Sequence, residues 1–318
     1  MIYDCASNNN SILQADASTL AMTDRHPCYS YEAHHKYARM HLPVAPRCNI
    51  SCNYCNRKYD CVNESRPGVT SEVLTPEAAR DKFLLVRDKI EHLSVVGIAG
   101  PGDALANWDN VRRSIELIKE VDREVIFCLS TNGLMLPQYA LEIVELGVKH
   151  VTVTVNCLEP VTGAKIYRYV NYRGKVYRGK AGAEILLKNQ QKGIKYLAKH
   201  GVLVKVNIVM VKGINDKRIP EVVRLAKNLG AFITNIMPLV PAPGSVFENF
   251  APTDPAELDR MREICGQDMR QMRHCKQCRA DAIGLLHEDR SLEFNTAGKK
   301  PDAACGGCGT ARKVAMAP

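Results

Sequence analysis

Six short apolar, β-branched runs punctuate this chain, with amphipathic segments of helical period between them, and that alternation restricts the fold more than any other feature. The runs lie near His41–Ala45, Ser94–Ile98, Val125–Leu129, Val151–Val155, Val202–Val209 and Phe232–Met237. The helical patterns lie near Pro76–His92, Asn110–Val121, Pro137–Leu146, Ala183–His200 and Lys217–Leu229. Runs this apolar suit strands covered on both faces, and repeated strand–helix–strand units join a parallel sheet by right-handed crossovers. Six such units predict an α/β fold, a partial (β/α)6 TIM-like barrel. Thr75-Pro76-Glu77 is a helix start, with a capping hydroxyl, a proline in the first turn and then an acid. Gly147, Gly201 and Gly230 suit helix C-termini. The core spans residues 41–245, between an N-terminal extension (1–40) and a C-terminal one (246–318). The C-terminal extension carries a helix near Pro255–Met272, cysteine pairs and a tail rich in Gly and Ala.

In such folds chemistry gathers at the C-terminal ends of the strands. A cysteine triad follows the first strand, Gly97–Asp103 the second, Cys128 and Ser130–Gly133 close the third, and Asn156 closes the fourth. Alternation sharpens the picture, because successive side chains of a strand point to opposite faces. Cys128 and Ser130 share one face, as do Thr152, Thr154 and Asn156, and likewise Lys205 and Asn207. Polar residues at period two inside apolar strands predict a polar lumen.

The chain has thirteen cysteines, an odd and unusually high number. Nothing at the N-terminus reads as a signal peptide, and no stretch is long enough to span a bilayer, so the cytoplasm is the expected location. In a reducing compartment clustered cysteines point to metal rather than disulfides. Cys48, Cys52 and Cys55 have the spacing C-x3-C-x2-C, which can bind three irons of a [4Fe–4S] cubane and leave the fourth open. An open iron can chelate S-adenosylmethionine (SAM) and pass it one electron. Structural zinc with Cys61 as fourth ligand is the competing reading of the spacing. The net charge of +9 is scattered, apart from short clusters such as Tyr167 to Lys180. Nucleic acid and anionic clusters would both suit it, so charge does not separate them.

The triad, with the aromatic Tyr54 before its last cysteine, resembles that of the radical SAM superfamily. In that resemblance the Gly97–Asp103 loop, with Gly100, Gly102 and Asp103, holds the SAM amino group. Ser130 and Asn132 reach the ribose, and Asn156 and Asn207 join the cofactor site.

Longer strings resemble one family within it. Ala38-Arg39-Met40-His41, the Asn56–Val69 segment, His26-Pro27-Cys28, Gly100–Asn107 and Cys275–Ala282 look like NifB, the nitrogenase iron–molybdenum cofactor biosynthesis family. The resemblance implies an enzyme that fuses two [4Fe–4S] clusters, K1 and K2, into an eight-iron, nine-sulfur, carbide-centred precursor. One SAM would donate a methyl group, a second would yield the radical that abstracts hydrogen from it, and a sulfur would be added. It implies three clusters: the radical cluster on Cys48, Cys52 and Cys55, K1 on Cys28, His41, Cys61 and Cys128, and K2 on Cys265, Cys275 and Cys278. His26 and the pair His34/His35 compete with His41. Glu64 and Arg66 would line the site. Implied partners are iron–sulfur cluster donor proteins, a reductant such as ferredoxin or flavodoxin, and a downstream carrier or maturase, with neither nucleic acid nor membrane. Some members carry a fused carrier domain after the core; the short run beyond Ala282 leads one to expect the stand-alone form. Cys5, Cys157, Cys305 and Cys308 are left without a role. The rival readings are a radical SAM enzyme for a peptide or small molecule with auxiliary clusters, and a non-catalytic iron–sulfur scaffold. The SAM loop, Ser130 and Asn132 argue against the scaffold.

Overall fold

The computed structural model describes residues 17–63 and 65–295. Cys5, Glu64, Cys305 and Cys308 lie outside them. Helix α1 (Ala17–Thr23) precedes strands β1 (Ala38–His41) and β2 (Ile50–Cys52). Strand–helix alternation then runs through α2 (Pro76–Arg87), β3 (Leu93–Ile98), α3 (Trp108–Val121), β4 (Ile126–Thr131), α4 (Leu136–Glu145) and β5 (His150–Thr154). After α5 (Pro160–Ile166), strands β6 (Tyr167–Tyr172) and β7 (Lys175–Tyr177) interrupt it. The pattern resumes with α6 (Gly179–Lys199), β8 (Leu203–Met210), α7 (Ile219–Asn228) and β9 (Ile233–Pro238), followed by α8 (Pro255–Gly266) and β10 (Ile283–Gly284).

The larger sheet has the order β10-β1-β3-β4-β5-β8-β9. Every pair from β1 to β9 is parallel, and β10 joins β1 antiparallel. The sheet curls as an open half-barrel. Its convex side carries the amphipathic helices over one continuous core that includes Phe83, Ile115, Leu129, Leu197 and Val206. Thr75 caps α2, accepting a hydrogen bond from Ala78 N–H, with Pro76 in the first turn. No helix among the described residues is long and apolar enough to cross a membrane.

The elements differ from expectation in a few places. The first strand begins and ends earlier than His41–Ala45, at Ala38–His41. Leu42–Arg47 then leads to the triad, which does not follow the strand directly. The segment Tyr167–Lys180 forms a hairpin, with Arg173 (φ 53) and Gly174 (φ 76) both left-handed at its tip. That is the geometry of a tight hairpin turn. The hairpin adds to β2 as a small antiparallel sheet, β2-β6-β7.

His150, at the start of β5, fastens the N-terminal segment to the sheet. Its Nε2 lies 3.1 Å from Thr23 Oγ1 on α1, and its ring packs edge-on to Tyr29. Burial, with Lys205 nearby, pushes its pKa down to about 3. The fold therefore holds the neutral ring, whereas an unfolded chain protonates it near 6.5. Its contribution is complete above that value and is lost as pH falls toward 3. Urea unfolding of the metal-free protein should weaken as pH drops from about 6.5 to 5. In His150→Asn that slope should diminish by up to about 1.4 kcal/mol per pH unit. An identical slope in the variant would exclude His150 as a source of the pH dependence.

Candidate active site

Parallel pairing turns the alternation of six strands toward one cavity, partly open to solvent. β1 sends Arg39 and His41 into it, and β4 sends Cys128 and Ser130. β8 contributes Lys205 and Asn207, and β9 contributes Asn235 and Met237. The C-terminal segment closes one side with Cys275 and Cys278, and the N-terminal segment brings Cys28. No Asp or Glu is among the lining residues, whereas Arg39 and Lys205 are both buried there.

The thiols divide differently from the expected sets. Burial pushes the Cys28 thiol up in pKa, and Cys278 and Cys275 add to the rise, so Cys28 stands with that pair. Arg39 Nη2 donates to Cys278 Sγ at 3.3 Å. Cys265 does not join them. It is fully buried on α8 within the main apolar core, with its pKa pushed up to about 11 by burial and by Asp268. Its side chain packs in the main core on α8 and is not among the residues that line the cavity, although Cys275 is close in sequence. Cys61 is buried beside the triad, where it hydrogen-bonds with Cys55.

Hydrogen bonds separate the two candidate histidines. His41 Nδ1 lies 2.9 Å from the Arg279 carbonyl, which can only accept, so Nδ1 carries the proton. Nε2 is left with a lone pair in the cavity wall, the arrangement that orients a metal-binding imidazole. Burial and Arg39 lower the His41 pKa to about 4, so the ring is neutral. His26 is the reverse. Its Nδ1 accepts from Cys28 N–H at 3.1 Å, which places the proton on Nε2. That buried N–H lines the cavity with no partner among the described residues. His26 is thus set as a donor and His41 as a ligand. His34 and His35 pack against each other with tilted rings and are not among the residues that line the cavity.

The triad loop is held by backbone contacts with the glycine-rich turn. Gly102 N–H donates to Ala45 C=O at 2.6 Å, and Asp103 N–H to Arg47 C=O at 2.8 Å. A Cβ on Gly102 would stand 2.2 Å from Arg47 O, so only glycine permits this approach. The buried Asp103 carboxylate accepts from Leu105 and Ala106 N–H, from Asn132 N–H at 2.6 Å and from Thr131 Oγ1. It ties the turn after β3 to the end of β4 and acts as a positioning group rather than a ligand. Asn132 Nδ2 donates to Asn49 Oδ1 at 2.7 Å and lies 3.8 Å from Cys48 Sγ. Asn63 Nδ2 lies 3.7 Å from Cys52 Sγ.

Asn156 donates to Tyr54 Oη at 2.7 Å and accepts from Val209 N–H, so it anchors the fully buried Tyr54. Asn207 donates to Asn63 C=O at 3.0 Å and joins the triad side to the cavity. Arg66 is exposed and does not line the cavity. Cys157 packs under α5, its pKa pushed up to about 12 by burial and Glu159.

These residues fit an iron–sulfur group and its anionic surroundings. The triad offers three thiols on one loop with amide donors beside two of them. The cavity offers thiols, an imidazole lone pair and the unpartnered buried donors His26 Nε2 and Arg39 Nε.

Gly97 stands opposite His41 in the β1–β3 ladder. A Cβ there would lie 2.8 Å from His41 Cδ2 and 3.2 Å from Nε2. Gly97→Ala should push the ring from its place and cost about 1–3 kcal/mol in urea unfolding. An unchanged midpoint would mean that the ring does not rest on Gly97.

Residues 42–226 match the family described as the radical SAM superfamily. The chain is 53% identical over 273 residues to the FeMo cofactor biosynthesis protein NifB of Klebsiella pneumoniae, which covers 85% of this chain and 58% of that one. It is 52% identical over 275 residues to the NifB of Herbaspirillum seropedicae, covering 85% of this chain and 52% of that one. The chain thus spans little more than half the length of these curated relatives. In structure it resembles Streptococcus suis SuiB, with a TM-score of 0.51 and 16% identity over 76% of this chain and 50% of that one. That likeness concerns the fold alone. By sequence match over residues 42–226, and by the thiol triad and glycine-rich turn that the core positions, this chain belongs to the radical SAM superfamily and stands with the NifB proteins within it.

Proposed function

We propose that the chain joins two [4Fe–4S] substrate clusters, with a SAM-derived carbide and an added sulfur, into the eight-iron precursor of the nitrogenase cofactor. The observation that carries this reading is a cavity with no lining carboxylate among the described residues, lined by Cys28, His41, Cys128, Cys275 and Cys278 together with Arg39 and Lys205. A radical enzyme for an organic substrate has no need of five soft ligands in its lumen.

SAM and a [4Fe–4S] cluster at Cys48, Cys52 and Cys55 would supply a methyl group and a hydrogen-abstracting radical. Among this chain's residues, Asn132 and Asn63 hold amide protons toward the triad sulfurs. Tyr54, locked by Asn63 and Asn156, fixes the loop between Cys52 and Cys55. On the substrate side we assign one cluster to His41, Cys61 and Cys128 and the other to Cys28, Cys275 and Cys278. The second set replaces Cys265 with Cys28. Arg39 reaches Cys278 and Lys205 acts on Cys28, so both cations offset the negative charge of thiolate-bound clusters. An imidazole leaves iron more readily than a thiolate does, so His41 suits a cluster that must be released. Cluster donor proteins, a one-electron reductant and a downstream carrier are the partners this reaction requires.

Anaerobic incubation of the reconstituted protein with methyl-labelled SAM and dithionite tests the reading. The expected result is label in an acid-labile eight-iron cluster. SAM cleavage with no labelled cluster would overturn it. In His41→Ala the yield should fall by about tenfold or more. A variant with full yield and unaltered cluster spectra would remove His41 from the ligand set.

A further inference from the structure

The β6–β7 hairpin is the most strongly charged surface of the chain that the site does not use. Between Pro160 and Ala183 there are six basic residues, Lys165, Arg168, Arg173, Lys175, Arg178 and Lys180, and no acid. All six are exposed. Among the described residues none of them forms an ion pair, whereas the exposed Arg87, Arg112, Arg113, Arg218 and Arg224 each do. Three are instead spread over the hairpin's own tyrosines: Arg173 over Tyr172, Lys175 over Tyr177 and Arg178 over Tyr169. Contact with rigid rings holds these three cations along the hairpin rather than turned toward carboxylates.

The position of this surface gives it meaning. β6 is hydrogen-bonded to β2, the strand that ends in the triad: Ile50 pairs with Val170, Ser51 with Tyr169 and Cys52 with Tyr167. Further bonds bind the two segments, from Asn53 N–H to Ile166 C=O at 2.8 Å and from Asn171 N–H to Asn49 C=O at 2.8 Å. Opposed Cα atoms in such a ladder are about 5 Å apart. The basic hairpin is therefore one strand away from the triad cysteine Cys52, and none of its residues lines the cavity.

We propose that the hairpin is the docking surface for a small acidic electron-transfer protein, and that electrons enter the triad across β6 and β2. The inference rests on the radical SAM reading of the triad. The donor gives up one electron for each SAM whose C5′–S bond breaks, yielding methionine and a 5′-deoxyadenosyl radical and leaving the donor oxidised by one electron; no proton moves. A basic patch raises the encounter rate with an acidic partner, by tenfold or more at low salt. Interleaved arginine and tyrosine also suits single-stranded RNA. The ladder connection to the triad favours the electron donor, because RNA binding has no reason to sit on the cluster loop.

The test uses the reconstituted holoprotein with SAM and two reductants: dithionite, which needs no docking, and an acidic flavodoxin kept reduced by its reductase. In the variant Arg168→Glu/Arg173→Glu/Lys175→Glu, flavodoxin-driven 5′-deoxyadenosine formation should fall about tenfold at low salt and lose its salt dependence. Dithionite-driven formation and cluster absorbance should stay at the parent level. The corresponding Arg→Lys variant, Arg168→Lys/Arg173→Lys, should keep the flavodoxin rate. Equal flavodoxin rates in parent and charge-reversed proteins would overturn the proposal. So would an equal loss with dithionite, which would show that the hairpin acts through the fold. A flavodoxin rate left intact while affinity for a labelled single-stranded RNA is lost would overturn it in favour of nucleic acid. Absence of 5′-deoxyadenosine from the parent with dithionite would instead refute the radical SAM reading beneath it.

Discussion

Parallel pairing is the constraint on which this molecule depends. Each crossover returns the chain to a strand of the same direction, so the alternate residues of six strands face one side. Once that side is concave, Arg39, His41, Cys128, Lys205 and Asn207 must share it, although as much as 168 residues of sequence separate Arg39 from Asn207. A shift of one residue in any strand would exchange its lumen residues for core aliphatics. The apolar layer beneath the helices therefore enforces the chemistry of the lumen, and the core and the site are two faces of one register.

The triad needs a second device, because it lies on a loop rather than a strand. Backbone bonds from Gly102 and Asp103 hold the segment before Cys48. Asp103 in turn binds the end of β4, so the loop inherits the rigidity of two strands. On its other flank β2 pairs with the β6–β7 hairpin. The cysteine loop is thus gripped from both sides, as a site needs when its ligands must keep their places while substrates come and go.

What could be read from the sequence follows from these physical scales. Five of the six strands, the Thr75 cap and the polar lumen depend on local periodicity and local chemistry, and they were legible to within one or two residues. The division of the thiols was not. Cys28 meets Cys275 and Cys278 only through the fold, and Cys265 looks like their neighbour in sequence while its helix turns it into the core. The tautomers of His41 and His26 depend on a carbonyl of Arg279 and an amide of Cys28 that no spacing reveals. The hairpin carried a local signal, the Arg173-Gly174 turn between Tyr-rich runs, which reads as a strand pair once its charge is set aside.

The lumen also bears on stability. It leaves the buried donors His26 Nε2 and Arg39 Nε without partners among the described residues. Buried donors and charges of this kind cost free energy unless something satisfies them. An anionic occupant with soft ligand sites removes both costs together, and it binds only the folded chain. Occupancy and folding are then linked, since a ligand of the native state alone stabilises it in proportion to the logarithm of its saturation. A cavity tuned for tight capture would resist release. Under the proposed function, the neutral His41, a weaker ligand than thiolate at the end of β1, would suit a site that assembles a product and then lets it go.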